Sequence, residues 1–300
     1  MESLKTILYF SIFKHPLTLE EIYSYYPDKD RDKIEAELNR LTEQNVIFEV
    51  DGFYLSDCDP DCIEKRRQGN LMAIPALEKA RERAALIAKF PFVEGVGVSG
   101  SLSKGYYDNR SDIDFFVITK PGKVWISRTL LMLYKKIFLL NSRRYFCINY
   151  FMSSANLELE EKNRFTATEI KTLIPFQGKD TLEAFYRHNE WISNIFGPFS
   201  PDLESVPNIK KPIFSKALEA TFDNRLGNML DDGFKKFTLG FWRLKFRKMD
   251  NADFSVALKS TKNVSKHHPA NFQKRVILSL NEKYEELHRK HNIELPKEYA

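Results

Sequence analysis

Three cysteines in 300 residues, Cys58, Cys62 and Cys147, are too few and too odd in number for a disulfide framework, and they point to a reducing compartment. Cys58 and Cys62 stand in a C-x-x-x-C spacing, but no second pair of Cys or His lies nearby to complete a four-ligand zinc site. They read as loop thiols. Long apolar runs are missing too. The run from Thr6 to Phe13 stops at Lys14-His15-Pro16 without a small-residue cleavage site, and nothing reaches the roughly 20 residues of a spanning helix. A cytoplasmic protein without a membrane partner is expected. No internal repeat or low-complexity tract occurs, which leaves out a solenoid. Charge is only mildly one-sided. A net +5 suits a polyanionic ligand such as ATP or nucleic acid, yet many ordinary proteins share it.

What is abundant is aromatic mass. With 24 Phe and 13 Tyr in a 43% hydrophobic chain, two or three domains can each bury a core. The first 57 residues read as one small unit. Leu4, Ile7, Leu8, Ile12 and Phe13 form a helical stripe. Thr18 with Glu21 forms a capping box ahead of a short helix through Ile22 to Tyr26. Asp30 caps a third helix with Ile34, Leu38 and Leu41 on one face. Asp51-Gly52 between two apolar runs is a hairpin signal. Three helices and a hairpin resemble a winged helix. Residues 68–90, rich in Ala, Leu, Arg and Glu, read as a helical connector. From Val93 the texture changes: strands are expected at Val93–Val98, Ile113–Thr119 and Tyr145–Met152, with helices at Trp125–Leu140 and about Arg164 to Leu173. After Pro175 the pattern is helical, with helices near 213–248 and 269–291. The expected division is 1–60, 61–90, 91–175 and 176–300.

The informative segment runs Gly100-Ser101-Leu102-Ser103-Lys104-Gly105-Tyr106-Tyr107-Asp108-Asn109-Arg110-Ser111-Asp112-Ile113-Asp114. Gly100 permits close backbone approach to a phosphate, Ser101 can donate to it, and Gly105 allows the tight turn that follows. Asp112 and Asp114 are two apart at the opening of a strand, so their side chains point the same way. Paired carboxylates beside a triphosphate make a hard oxygen site suited to Mg²⁺. A Gly-Ser turn, a second Gly and then Ser-Asp-x-Asp opening a strand resembles the signature of the polymerase-beta-like nucleotidyltransferase superfamily, over about 80 residues from Val93 to about Leu173. The resemblance implies an α+β fold with a mixed-sheet core, flanked here by the winged-helix-like unit and a helical C-terminal region. It implies Asp112 and Asp114 as Mg²⁺ ligands and catalytic groups, and Gly100, Ser101, Lys104, Gly105 and Ser111 as nucleotide-binding residues.

The family usually places a third carboxylate on a later strand. Here the expected strand Tyr145–Met152 offers Asn149, whose neutral oxygen can ligate a metal weakly but cannot act as a general base. Glu158 and Glu160 lie just beyond. Three further segments each have two readings. Phe234, Phe237, Phe241 and Leu244, interleaved with lysines and arginines, form either a core-facing stripe or a basic wall beside a polyanion. His267-His268-Pro269 is either an anion site at a helix start or a cap. Arg143 and Arg144 are solvated or touch phosphate.

The primary expectation is an enzyme that moves a nucleoside monophosphate from an NTP, ATP first, to an unknown acceptor: a small molecule, a protein or RNA. The second is a degenerate nucleotide-binding regulator acting through the winged-helix-like unit. The helix 30–45 mixes Arg31, Lys33 and Arg40 with Asp32, Glu35, Glu37 and Glu43, which is poor for a phosphate backbone, so tight DNA binding is not expected.

Overall fold

The computed structural model describes residues 1–57, 59–142, 144–268 and 271–299. Cys58, Arg143 and Pro269 lie outside them. The first unit holds α1 (Glu2–Ser11), β1 (Leu17–Thr18), α2 (Leu19–Ser24), α3 (Arg31–Glu43), β2 (Phe48–Val50) and β3 (Phe53–Leu55). The local signals act as their chemistry requires. Glu21 N–H donates to Thr18 Oγ1 and Thr18 N–H to Glu21 Oε2, closing the capping box at α2. Asp30 accepts from Lys33 N–H at the start of α3. Asp51-Gly52 turns β2 into β3, and β1 adds to β3, giving an antiparallel sheet in the order β1-β3-β2.

The long helix α4 (Asp61–Ala88) follows. Its small residues Ala73, Ala76, Ala80, Ala84 and Ala88 are buried at helical spacing, and this narrow stripe lets it lie close on the main sheet. That sheet comprises β4 (Val93–Ser99), β5 (Asp114–Thr119), β6 (Cys147–Ser153), β7 (Ile174–Gln177) and β8 (Val264–Lys266), in the order β7-β4-β5-β6-β8. It is mixed: β5 and β6 run parallel and every other pair is antiparallel. The α+β class expected from the sequence is therefore present. The helices are α5 (Val124–Phe138), α6 (Arg164–Thr172), α7 (Lys179–His188), α8 (Ser193–Phe196), α9 (Ile213–Phe222), α10 (Arg225–Lys245), α11 (Asn251–Ala257) and α12 (Phe272–His291).

The two sheet faces bury different cores. Phe115, Val117, Val96 and Val98 face α4, α5 and Trp242 of α10. Phe116 and Ile118 point the other way, into a core shared by α6, α7, α12 and the N-terminal unit. Alternation along β5 places Asp114 on this second face.

Two strands escaped the sequence reading. β7 begins at Ile174 and contains Pro175, an edge position where a missing N–H is tolerated. β8 has three residues, too short to carry a period, and lies in a segment expected to be helical. The stripe on α10 is also corrected. Phe237 and Leu244 are 76% and 72% exposed, and Phe241 is exposed with them. The buried line is instead Gly227, Asp231, Thr238 and Trp242. Asp231 explains this orientation. Its Oδ1 accepts from Trp125 and Ile126 N–H at 2.7 and 2.8 Å, capping α5, which has no side-chain cap of its own.

Candidate active site

Strand β4 ends at Ser99, paired with Asp114 at the start of β5. Between them lies the glycine-serine loop. Gly100 has φ +75, and a Cβ there would sit 2.6 Å from Asp114 Oδ2. Any other residue would both strain the backbone and expel the carboxylate. A 3₁₀ turn, Leu102–Lys104, is closed by Gly105 at φ +72. The loop is clamped against α4: Tyr107 N–H donates to Gly69 O at 3.1 Å, and the Tyr106 ring fills the space a Cβ on Gly69 would need.

Asp108 organises the approach to the aspartates. Its Oδ1 accepts from Ser111 Oγ at 2.8 Å and from Arg110 N–H at 2.9 Å. The Ser111 hydroxyl, expected to meet nucleotide, is thus engaged in holding the turn. Asp112 and Asp114 follow, both half-buried. Asp114 Oδ1 accepts from Asn149 Nδ2 at 3.0 Å. Asn149 is set beside it by a bulge, where β6 pairs Ile148 with Phe115 and then Tyr150 with Phe116. The Asn149 amide also reaches Cys147 Sγ at 3.1 Å. Burial and the neighbouring Asp114 push the Cys147 thiol up to about 12, so it stays protonated and hydrogen-bonds the carboxylate. Asp114 is itself raised to about 6, first by burial and then by the negative charges of Asp112 and Glu169.

Glu169 on α6 was not foreseen. It belongs to no motif, and only the fold returns α6 to the loop. Its Oε1 accepts from Lys104 Nζ at 2.8 Å, and Oε2 takes a long bond of 3.4 Å from Gly100 N–H. Lys104 Nζ also donates to Gly100 O at 3.1 Å. A carboxylate therefore occupies two donors that the sequence assigns to phosphate. Ser101 Oγ has no hydrogen-bond partner among the described residues.

His267 and His268 also come to this end of the sheet. β8 runs beside β6, and His267 N–H donates to Asn149 O at 2.9 Å. The His267 ring lies against Trp242, with centroids 4.9 Å apart. His268 is pushed down to about 4, mainly by burial and then by Lys266, so its imidazole is neutral at pH 7. From the N-terminal unit, His15 meets Arg66, which also pairs with Glu21 of α2. Burial, Arg66 and Lys104 all lower His15. Glu158 and Glu160 are turned to Lys162 and Lys259, at 2.6 and 2.7 Å, and do not replace the third carboxylate.

The donor set suits a hard divalent cation. Asp114 is held above the usual carboxylate range by burial and by neighbouring negative charge, a condition that a cation relieves. Among the described residues no three His, Cys, Asp or Glu side chains converge as a closed cage. An ion here would share Asp112 and Asp114 and complete its shell with phosphate oxygens and water, the habit of Mg²⁺.

Strand, glycine loop and aspartate pair lie together at one end of the sheet, within the stretch that a family model matches. Residues 80–197 match the family model described as the nucleotidyltransferase domain. That stretch is thus similar to the nucleotidyltransferase domain, a family in which a divalent metal is generally used. No curated protein and no solved structure matches it. No helix among the described residues is long and apolar enough to cross a membrane.

Proposed function

We propose that this protein transfers a nucleoside monophosphate from ATP to a hydroxyl or phosphate acceptor, with Mg²⁺ bound at Asp112 and Asp114 and pyrophosphate released. The observation that carries this reading is Asp114 itself, packed on Gly100 where only glycine fits and raised to about 6 by burial and the charges of Asp112 and Glu169. A bound Mg²⁺ supplies neutralisation of the triphosphate charge and polarisation of the attacking hydroxyl. The chain supplies the rest. Gly100 and Gly105 shape a turn whose N–H groups face the phosphates, and Ser101 donates its hydroxyl. Lys104 exchanges Glu169 for a phosphate oxygen. Asn149 orients Asp114 by donating to Oδ1, and it accepts no proton.

Residues 1–60 are read as a winged-helix-like unit, 61–90 as a helical connector, 91–175 as the transferase core and 176–300 as the region that selects the acceptor, in a cytoplasmic protein. On α3, Arg31 pairs with Glu20 and Glu35, and Lys33 with Asp28 and Asp30. Such internally spent charge supports a protein contact over tight DNA binding. A salt-sensitive, submicromolar complex of the full chain with duplex DNA would contradict this. The test of the site is calorimetry with Mg·ATP. Asp112→Ala and Asp114→Ala should each abolish binding, and unchanged affinity in both would remove the assignment. Labelled ATP incubated with cell extract should then place label on the acceptor.

A further inference from the structure

A cavity of about 380 Å³ opens at the β7 edge of the sheet, lined by Arg81 of α4, Ser103 of the glycine-serine loop and Lys171 and Thr172 of α6. Its apolar walls include Phe176 and Phe199. The charges here are uncompensated. Lys171 Nζ lies 4.6 Å from the Phe199 ring centroid and 5.5 Å from that of Tyr25. Among the described residues no carboxylate pairs with it. After burial, the remaining influence on it is Lys29, another cation. The Arg81 guanidinium lies 5.1 Å from the Phe176 ring centroid at the mouth. The one carboxylate in the lining, Asp202, is exposed, and its Oδ1 accepts from Glu204 N–H. A half-buried ammonium held between aromatic rings without an anion is costly unless something brings one. Hydroxyls of Ser103 and Thr172, 3.4 Å apart, make the inner wall polar, with their protons given to Gly100 O and Thr168 O.

We propose that this cavity binds a small organic anion, a carboxylate or phosphate monoester on an apolar body, with Lys171 and Arg81 gripping the charge and Phe176 and Phe199 covering the body. Arg forks onto planar oxyanions and the lysine acts as a point charge, so either head group is met. The site is separate from Asp112 and Asp114, and its occupancy does not depend on whether those residues turn nucleotide over. It shares a wall with them, because Ser103 Oγ donates to Gly100 O at 2.9 Å, at the residue that packs on Asp114.

The test is calorimetry of the full chain with phenyl phosphate, phenylacetate and the neutral benzyl alcohol. The two anions should bind, and the alcohol should bind at least about tenfold more weakly, a difference of about 1.4 kcal/mol. The stronger of the two anions identifies the head group. Lys171→Met should weaken anion binding by about tenfold or more, and Lys171→Arg should keep it within a few-fold. Asp112→Asn should leave it unchanged, which separates this site from the nucleotide site. Should Lys171→Met fail to fold, Arg81→Gln, at an exposed position, should weaken the anions several-fold. Two results would overturn the proposal: anions binding no better than the alcohol, or a folded variant of Lys171 or Arg81 binding them as the wild type does.

Discussion

Asp114 is a half-buried carboxyl held by Asn149 and set among negative charges. Its ordinary value is 3.8 and its folded value about 6, so between those pH values the native state holds more proton than the unfolded chain. Stability contributed by the protonated form is present at low pH and is lost as pH rises through 6. Asp114→Asn keeps the oxygen that accepts from Asn149 and removes the charge. The variant should therefore be more stable than the wild type at pH 7.5, on the order of 1–3 kcal/mol by the size of the shift. The gain should shrink below pH 6 and vanish near pH 4. Thermal melts of both proteins across this range check it, and a constant gain at every pH would remove the electrostatic account. Asn149 Nδ2 lies 3.0 Å from Asp114 Oδ1, on the strand where the resemblance looks for a third carboxylate. Asn149→Asp should leave ATP affinity within a few-fold and raise transfer or pyrophosphate release by about tenfold to a hundredfold, at and below the low end for one acid–base group. Robust wild-type turnover that falls in Asn149→Asp would show that another group takes the proton. The nearness of the loop glycines to the aspartate pair was legible in the sequence because their spacing is local, whereas Asn149, 35 residues beyond Asp114, was reached only through the family resemblance. The role of Ser111 was not, because its partner Asp108 offers an equally local turn that claims the hydroxyl first.

At the scale of elements, the site depends on α6 as much as on the strands. This helix starts on an Asn163 cap, with Thr166 N–H donating to Asn163 Oδ1 at 3.0 Å, and carries Glu169 onto the loop. Under the proposed function Glu169 would compete with a phosphate for Lys104 and the Gly100 N–H, both of which it now holds. Glu169→Gln removes the competing charge, so Mg·ATP affinity by calorimetry should rise several-fold. A fall of tenfold or more would instead make Glu169 a part of the cation or proton machinery. The helix itself was legible from its period. Its aim was not, because nothing local in Arg164–Thr172 says which side chain meets a loop some sixty residues earlier. The same limit hid β8, whose three residues become a strand only through pairing with β6, and α10, whose orientation is set by Asp231 capping another helix. Local signals with local partners, such as the capping box of Thr18 and Glu21 or the turn at Asp51-Gly52, came through intact.

Across the whole molecule, the N-terminal unit lacks a core of its own. Leu4, Ile7, Ile34, Leu38 and Leu41 join Phe116, Ile118 and Met152 of the sheet and Tyr284 of α12 in one buried cluster. Arg164 reinforces the junction, bonding Glu2 of α1 and Glu298 near the C-terminus, each at 2.9 Å. The unit thus roofs α6 and α12, the helices laid on the sheet face of Asp114, and the His15 ring centroid lies 6.4 Å from that of Tyr106 in the loop. A regulator that signals through a mobile winged-helix-like unit needs that unit to move apart at small cost, whereas a transferase with a fixed roof does not. The shared core predicts a single cooperative unfolding transition. Trp125, Trp191 and Trp242 all lie outside the unit, so their fluorescence in urea reports the rest of the chain, while amide exchange at Leu38 and Leu41 reports the unit. The two should give the same unfolding free energy. Leu38→Ala should lower both equally, by about 2–5 kcal/mol for a fully buried leucine. Exchange at Leu38 through an opening well below the global free energy would separate the unit from the sheet and favour the regulatory reading. Coincidence would leave the N-terminal unit as a fixed wall beside the proposed nucleotide site.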